Sequence, residues 1–273
     1  MLDLLNLPFM QNALWASILT SIACGIIGSL VVVNRLVFLA GGVAHSAYGG
    51  VGLAFFLGLP VLPCTLGFTL FTSGLLGAIT LNRDNRTDTV VGLIWAAGMA
   101  FGIILIDLTP GYNVDLMSYL FGSILTVPDS DLWVMLVMDL FIVGLVTILY
   151  RGFLVMSFDR EYAKTLGLSV TFYYFLLLSL VAVSVVMIVR VVGLILVIAL
   201  LTIPAYLAER KCLSLAQMMF KSILWSIVFC ILGLWVSFTF NITSGASIIA
   251  VATITFFIFL CIDFCHKRFF HES

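Results

Sequence analysis

Few side chains in this sequence could do chemistry, and those few are set in apolar surroundings. His45 lies in GGVAHSAYGGVG, Asp139 lies in LVMDLFIVG, and Asp107 and Asp115 bracket the turn LTPGYNV. An ionisable group at membrane depth costs about 2.5–3.5 kcal/mol on insertion scales, so it marks either a pathway or an internal partner. Imidazole is a common zinc ligand, and together with carboxylates it suits manganese or iron. Helical spacing lines up Gly41, His45, Tyr48 or Gly49, and Gly52 as one stripe. On such a stripe a neighbouring backbone approaches closely and one imidazole is presented. At that place His45 suits equally a ligand and a packed ring bonded to the next helix. Asp139 has the same two readings, while Asp107 and Asp115 suit a wet interface.

Signatures of covalent chemistry are missing. The sequence has no GxxxxGK[ST], HExxH or GxSxG, and no paired catalytic carboxylates. Any ATP hydrolysis therefore belongs to another chain. The cysteines Cys24, Cys64, Cys212, Cys230, Cys261 and Cys265 form no CxxC pair, and the Cys261, Cys265, His266 group is expected to be thiols beside a basic tail. A net charge of −1 gives nucleic acid no electrostatic footing.

The elements that must position His45 and Asp139 follow from composition. Hydrophobic residues make up 63% of the chain and charged residues 9%, and the mean hydropathy is +1.26. A water-soluble domain of this size would need far more polar surface. The expected fold is all-α, a single polytopic transmembrane domain over 1–273. Apolar runs of about 20 residues place spans near 13–33, 36–58, 61–81, 89–106, 132–150, 170–189, 191–207, 220–240 and 246–264, about nine in all. The only break before 191 is Arg190, so spans six and seven could form one bent hairpin. Asp139 is expected nearer the outer end of its span. The apolar stretch 116–126 is too short to cross and is expected to be re-entrant.

Charge tests that choice. If 116–126 does not cross, eleven of the twelve basic residues fall on one side and Arg190 alone on the other. The positive-inside rule then places the N-terminus outside and the C-terminus in the cytoplasm. The N-terminus has no basic residue before its apolar run, unlike a signal peptide. On the inner side, FDREYAKTLGL predicts a short amphipathic helix. Asp159 can cap it, Glu161 lies in its first turn, Lys164 lies late and Gly167 suits a left-handed stop. Phe158, Tyr162, Ala163 and Leu166 give it an apolar side, which could lie on lipid or enter a groove of a partner.

Four blocks now stand in order: FLAGGVAHSAYGGVGLAFFLG, YLFGSILTV, FDREYAKTLGL and VVGLILVIALLTIPAYLAE. Through nearly its whole length the chain resembles the ABC-3 family, the permease subunits of bacterial zinc, manganese and iron ABC transporters. The resemblance implies a permease of the cytoplasmic (inner) membrane that binds no resident cofactor. Its cargo would be a divalent metal ion, and its partner would use the ATP. Residues 159–168 would be the coupling helix in the ATPase cleft, with Asp159, Glu161, Ala163, Leu166 and Gly167 in it. A second permease chain would complete the pathway, and an extracytoplasmic metal-binding lipoprotein would deliver the ion. His45 matches the family's histidine on the second span. Many members carry an aspartate four residues earlier, where this chain has Gly41. Asp139, or an acid near Asp115, is the expected replacement in a site otherwise held by His45, which favours zinc. Alternatives on the residues alone are a carrier driven by an ion gradient through His45 and Asp139, a siderophore or vitamin permease, and a membrane sensor or assembly subunit.

Overall fold

The computed structural model describes residues 8–81, 87–109, 122, 124–194, 197–210 and 212–270. Its regular elements are helices: α1 (Pro8–Val33), α2 (Val37–Leu57), α3 (Val61–Thr80), α4 (Thr87–Asp107), α5 (Asp129–Ile148), α6 (Tyr150–Phe158), α7 (Arg160–Thr165), α8 (Val170–Val192), α9 (Val197–Glu209), α10 (Leu215–Phe240) and α11 (Ser244–Phe270). Among the described residues eight helices are long and apolar enough to cross a bilayer, all of them except α6, α7 and α9. Lipid offers no hydrogen bonds, and many hydroxyls inside the spans bond back to their own helix. Ser17, Ser21, Ser29 and Ser184 each donate to the carbonyl one turn before, at 2.7–2.9 Å.

Helix ends follow local chemistry. Gly58, at φ 66°, closes α2: its N–H donates to the Phe55 carbonyl and that of Leu59 to the Ala54 carbonyl. This paired C-terminal motif needs a residue at positive φ, which glycine adopts without strain. Ser169 and Ser214 accept from Phe172 N–H and Gln217 N–H to start α8 and α10.

Three helices form the centre. Residues of α1, α2 and α8 are mostly buried, whereas α3, α4, α5, α10 and α11 turn most of their apolar surface outward. α2 packs on α3 and α4, and α1 on α10, α9, α8 and α5. Glycines set the closeness of the α2–α4 pair. A Cβ on Gly52 would lie 2.6 Å from Gly102 Cα, and one on Gly98 would lie 2.8 Å from Ser46 Cα. The backbones therefore touch where the sequence placed its small-residue stripe.

Two expectations are corrected. The break between spans six and seven falls at Gly193, at φ 85°, and not at Arg190, which lies inside α8. Of the seventh span, expected at 191–207, the first two residues end α8, and the helix that follows is the 13-residue α9, about 20 Å long. That is shorter than the roughly 30 Å hydrocarbon layer, so among the described residues eight of the expected passages carry a helix of full spanning length. The chain nevertheless returns to the end of the bundle that holds α7: the Ala216 N–H at the start of α10 donates to Tyr150 Oη at the start of α6. Of the expected re-entrant segment, 116–121 and 123 lie outside the described residues, and Ile124–Thr126 is one 3₁₀ turn.

Candidate functional site

His45 sits halfway along α2 and is 8% exposed. Its ring lies flat on Trp95 of α4, with centroids 3.9 Å apart and planes 6° apart. Among the described residues no hydrogen bond reaches either ring nitrogen. A structural histidine inside a membrane bundle satisfies at least one nitrogen, because lipid cannot. His45 instead has one basic nitrogen, the unprotonated one, that no protein donor among the described residues occupies.

Gly41 lies one turn before His45. A Cβ there would be 2.7 Å from Ile198 Cδ1 of α9. The place of the family's aspartate is thus filled by an aliphatic side chain from the short helix. A cavity of about 420 Å³ lined by Val32, Arg35, Val37, Phe38 and Ile198 opens nearby, where the chain turns from α1 into α2. It lies at the end of the bundle that carries α7.

Asp139 is 3% exposed and lies at the middle of α5, deeper than expected. Neither carboxylate oxygen has a hydrogen-bond partner. Helix α5 packs mainly on α1, and the carboxylate is within electrostatic range of the Cys24 thiol there. The structure does not bring Asp139 to His45 within one chain: the first belongs to the α1–α5 seam, the second to the α2–α4 seam. Asp115 lies outside the described residues, and Asp107 is exposed at the end of α4. No three His, Cys, Asp or Glu gather to hold an ion among the described residues.

At one end of the bundle α7 forms as its residues dictate. Asp159 Oδ1 accepts from the N–H groups of Glu161 and Tyr162 at 2.9 and 3.0 Å. Lys164 Nζ donates to Glu161 Oε1 at 2.8 Å. Gly167, at φ 75°, closes the helix, donating to the Lys164 carbonyl while Leu168 N–H donates to that of Ala163. Ala163 is fully buried, while Phe158, Tyr162 and Leu166 are exposed. Arg160 lies over the Tyr174 ring, 5.7 Å from its centroid, and holds α7 to α8.

The sequence singled out neither Trp95 nor the Asn34–Ser157 bond. Asn34 Nδ2 donates at 2.8 Å to Ser157 Oγ on α6, tying the α1–α2 turn to the element that leads into α7. An aromatic residue one span away carries no signal that it meets a histidine, and neither does an asparagine 123 residues from its partner.

A bundle of many membrane-spanning helices with a buried mid-span imidazole and a capped surface helix at one end fits a membrane transport subunit. Residues 6–263 match the ABC 3 transport family, and the chain belongs to it. It is 48% identical over 260 residues, covering 95% of this chain and 92% of the other, to an uncharacterized membrane protein of Synechocystis sp.. It is 33% identical, over 93% of this chain and 91% of the other, to the manganese transport system membrane protein MntC of Listeria innocua. Among solved structures it is similar to PsaBC from Streptococcus pneumoniae in complex with Fab, with a TM-score of 0.85 and 32% identity over 94% of this chain and 93% of that one. The chain is a transport permease, and ATP hydrolysis belongs to a partner chain.

Proposed function

We propose that this chain forms the ion pathway of an ATP-driven importer of divalent metal ions in a bacterial cytoplasmic membrane, with zinc as its cargo. The observation that carries this reading is His45: mid-span, nearly enclosed, and with both ring nitrogens unbonded. A cation entering a low-dielectric bundle loses its water, so protein ligands must replace it. His45 supplies one ligand. The rest of the set comes from a second copy of the chain, as expected for a homodimer, or from the segment bearing Asp115. With Gly41 packed by Ile198 and Asp139 in another seam, the described part of the pathway is poor in carboxylates. Imidazole without carboxylate suits zinc better than manganese, which prefers hard oxygen ligands. The manganese named for the Listeria relative favours a second reading, in which manganese is the cargo.

The cycle is alternating access. A metal-binding lipoprotein delivers the ion from outside, the ATPase closes on nucleotide, and α7 passes that motion to the spans. Arg35, Arg151, Arg160, Lys164 and Arg210 gather at the α7 end of the bundle, which supports a cytoplasmic α7 and an outer N-terminus. The test is uptake of labelled zinc and labelled manganese by cells holding the whole transporter. His45→Ala is expected to lower zinc uptake at least tenfold at unchanged amounts in the membrane. Unaltered uptake of both metals would remove His45 from the pathway.

A further inference from the structure

We propose that Trp95 is the positioning residue for His45: its indole fixes the plane of the imidazole so that the ring edge, and not its face, meets the metal. The proposal rests on His45 as a ligand and adds the group that orients it. Metal-binding histidines usually have their ring fixed by a hydrogen bond from the nitrogen that does not bind metal. That bond is missing here among the described residues, and yet the ring is not free. It lies parallel to Trp95 at 3.9 Å, a spacing at which the indole covers one whole face.

The indole is itself held. Trp95 Nε1 donates to Met99 Sδ at 3.2 Å, one turn along α4. Phe38, two turns before His45 on α2, tilts against the indole at 51° with centroids 6.4 Å apart. The backbones of α2 and α4 cannot slide apart cheaply, because they meet at Gly98 against Ser46 and Gly52 against Gly102. Ser46 Oγ also shares a hydrogen bond with Thr72 Oγ1 of α3 at 2.9 Å, which ties α2 to α3. Stacking thus does for His45 what a hydrogen bond does for other ligands. It leaves the unprotonated ring nitrogen open to a cation, with no protein hydrogen bond to break first.

A residue that only orients a ligand changes affinity and leaves turnover alone. In whole cells expressing the full chain with its ATPase, Trp95→Leu is expected to raise KM for zinc about fivefold, the worth of one aromatic pair, with Vmax per transporter unchanged. Trp95→Phe, which keeps a ring, is expected to restore most of the affinity. A second readout needs no transport. In the full chain with Trp15, Trp133, Trp225 and Trp235 replaced by Phe, cobalt ion is expected to quench Trp95 emission, and His45→Ala is expected to abolish the quenching. The proposal falls if Trp95→Leu leaves KM unchanged, if it lowers only the amount of transporter while cobalt leaves Trp95 emission untouched, or if Trp95→Phe behaves as Trp95→Leu. A wild-type response of Trp95→Leu beside an impaired His45→Ala removes Trp95 alone. Unimpaired His45→Ala removes the ligand reading and this proposal with it.

Discussion

At the residue scale the decisive feature is what His45 lacks. Among the described residues no hydrogen bond reaches either nitrogen of the buried His45 ring, so no protein donor competes with a cation for its basic nitrogen. On the proposed reading, Gly41 beside His45 sets the choice of metal. Gly41→Asp combined with Ile198→Ala, which clears the space that Ile198 Cδ1 fills, is expected to shift the ratio of manganese to zinc uptake upward at least severalfold. Competition between the labelled metals measures this, and an unmoved ratio would separate position 41 from metal choice. Asp139 belongs to a different problem. A buried carboxylate with neither oxygen bonded destabilises its seam. Asp139→Asn is expected to keep zinc uptake and to raise the melting temperature of the purified chain by a few degrees. Loss of uptake at unchanged expression would return Asp139 to the ion path.

At the scale of elements, α7 and the α1–α2 turn form one mechanical unit. The capped helix α7 offers Phe158, Tyr162 and Leu166 outward, and α6 joins it to Asn34 through Ser157. On the proposed cycle a push on α7 would reach the start of α2, two turns from His45, through this bond. Two substitutions distinguish docking from transmission. Leu166→Glu is expected to prevent ATPase association and abolish uptake. Asn34→Ala removes a bond worth about 1 kcal/mol, and is expected to leave the ATPase bound and hydrolysing while zinc uptake falls severalfold. Co-purification and ATP turnover, read beside uptake, check both. Tight coupling retained in Asn34→Ala would show that force takes another route. The caps of α7 were legible because they depend on neighbours within eight residues: Asp159 and Gly167 have the same task in any context that leaves this stretch helical. The Asn34–Ser157 bond was not legible, since it exists only after α1 and α6 are brought side by side.

For the whole molecule, orientation is the property on which the cycle depends. With the native cysteines replaced, Leu166→Cys is expected to react with a membrane-impermeant thiol reagent only from the cytoplasmic side. Ile242→Cys, in the turn between α10 and α11, is expected to react only from outside. Both positions are exposed. Labelling of Leu166→Cys from outside would invert the topology and detach α7 from any cytoplasmic ATPase. The centre formed by α1, α2 and α8 also accounts for composition: α2 is richest in glycine because it is packed on several sides at once, while α5 and α11 keep large apolar side chains for lipid or a second copy.

By itself the sequence determined the solvent, the helices and their caps. Those depend on apolar run length, on turn chemistry and on the distribution of lysine and arginine, all of which are local or additive along the chain. It also placed His45 in a glycine stripe. Only the tertiary structure decided that the seventh passage carries a short helix, that Ile198 fills the notch at Gly41, that Asp139 faces α1 and not α2, and that Trp95 lies on His45. Each of these is a meeting of residues far apart in the chain, fixed by how helices rotate about their axes as they pack, and hydropathy contains no record of that rotation.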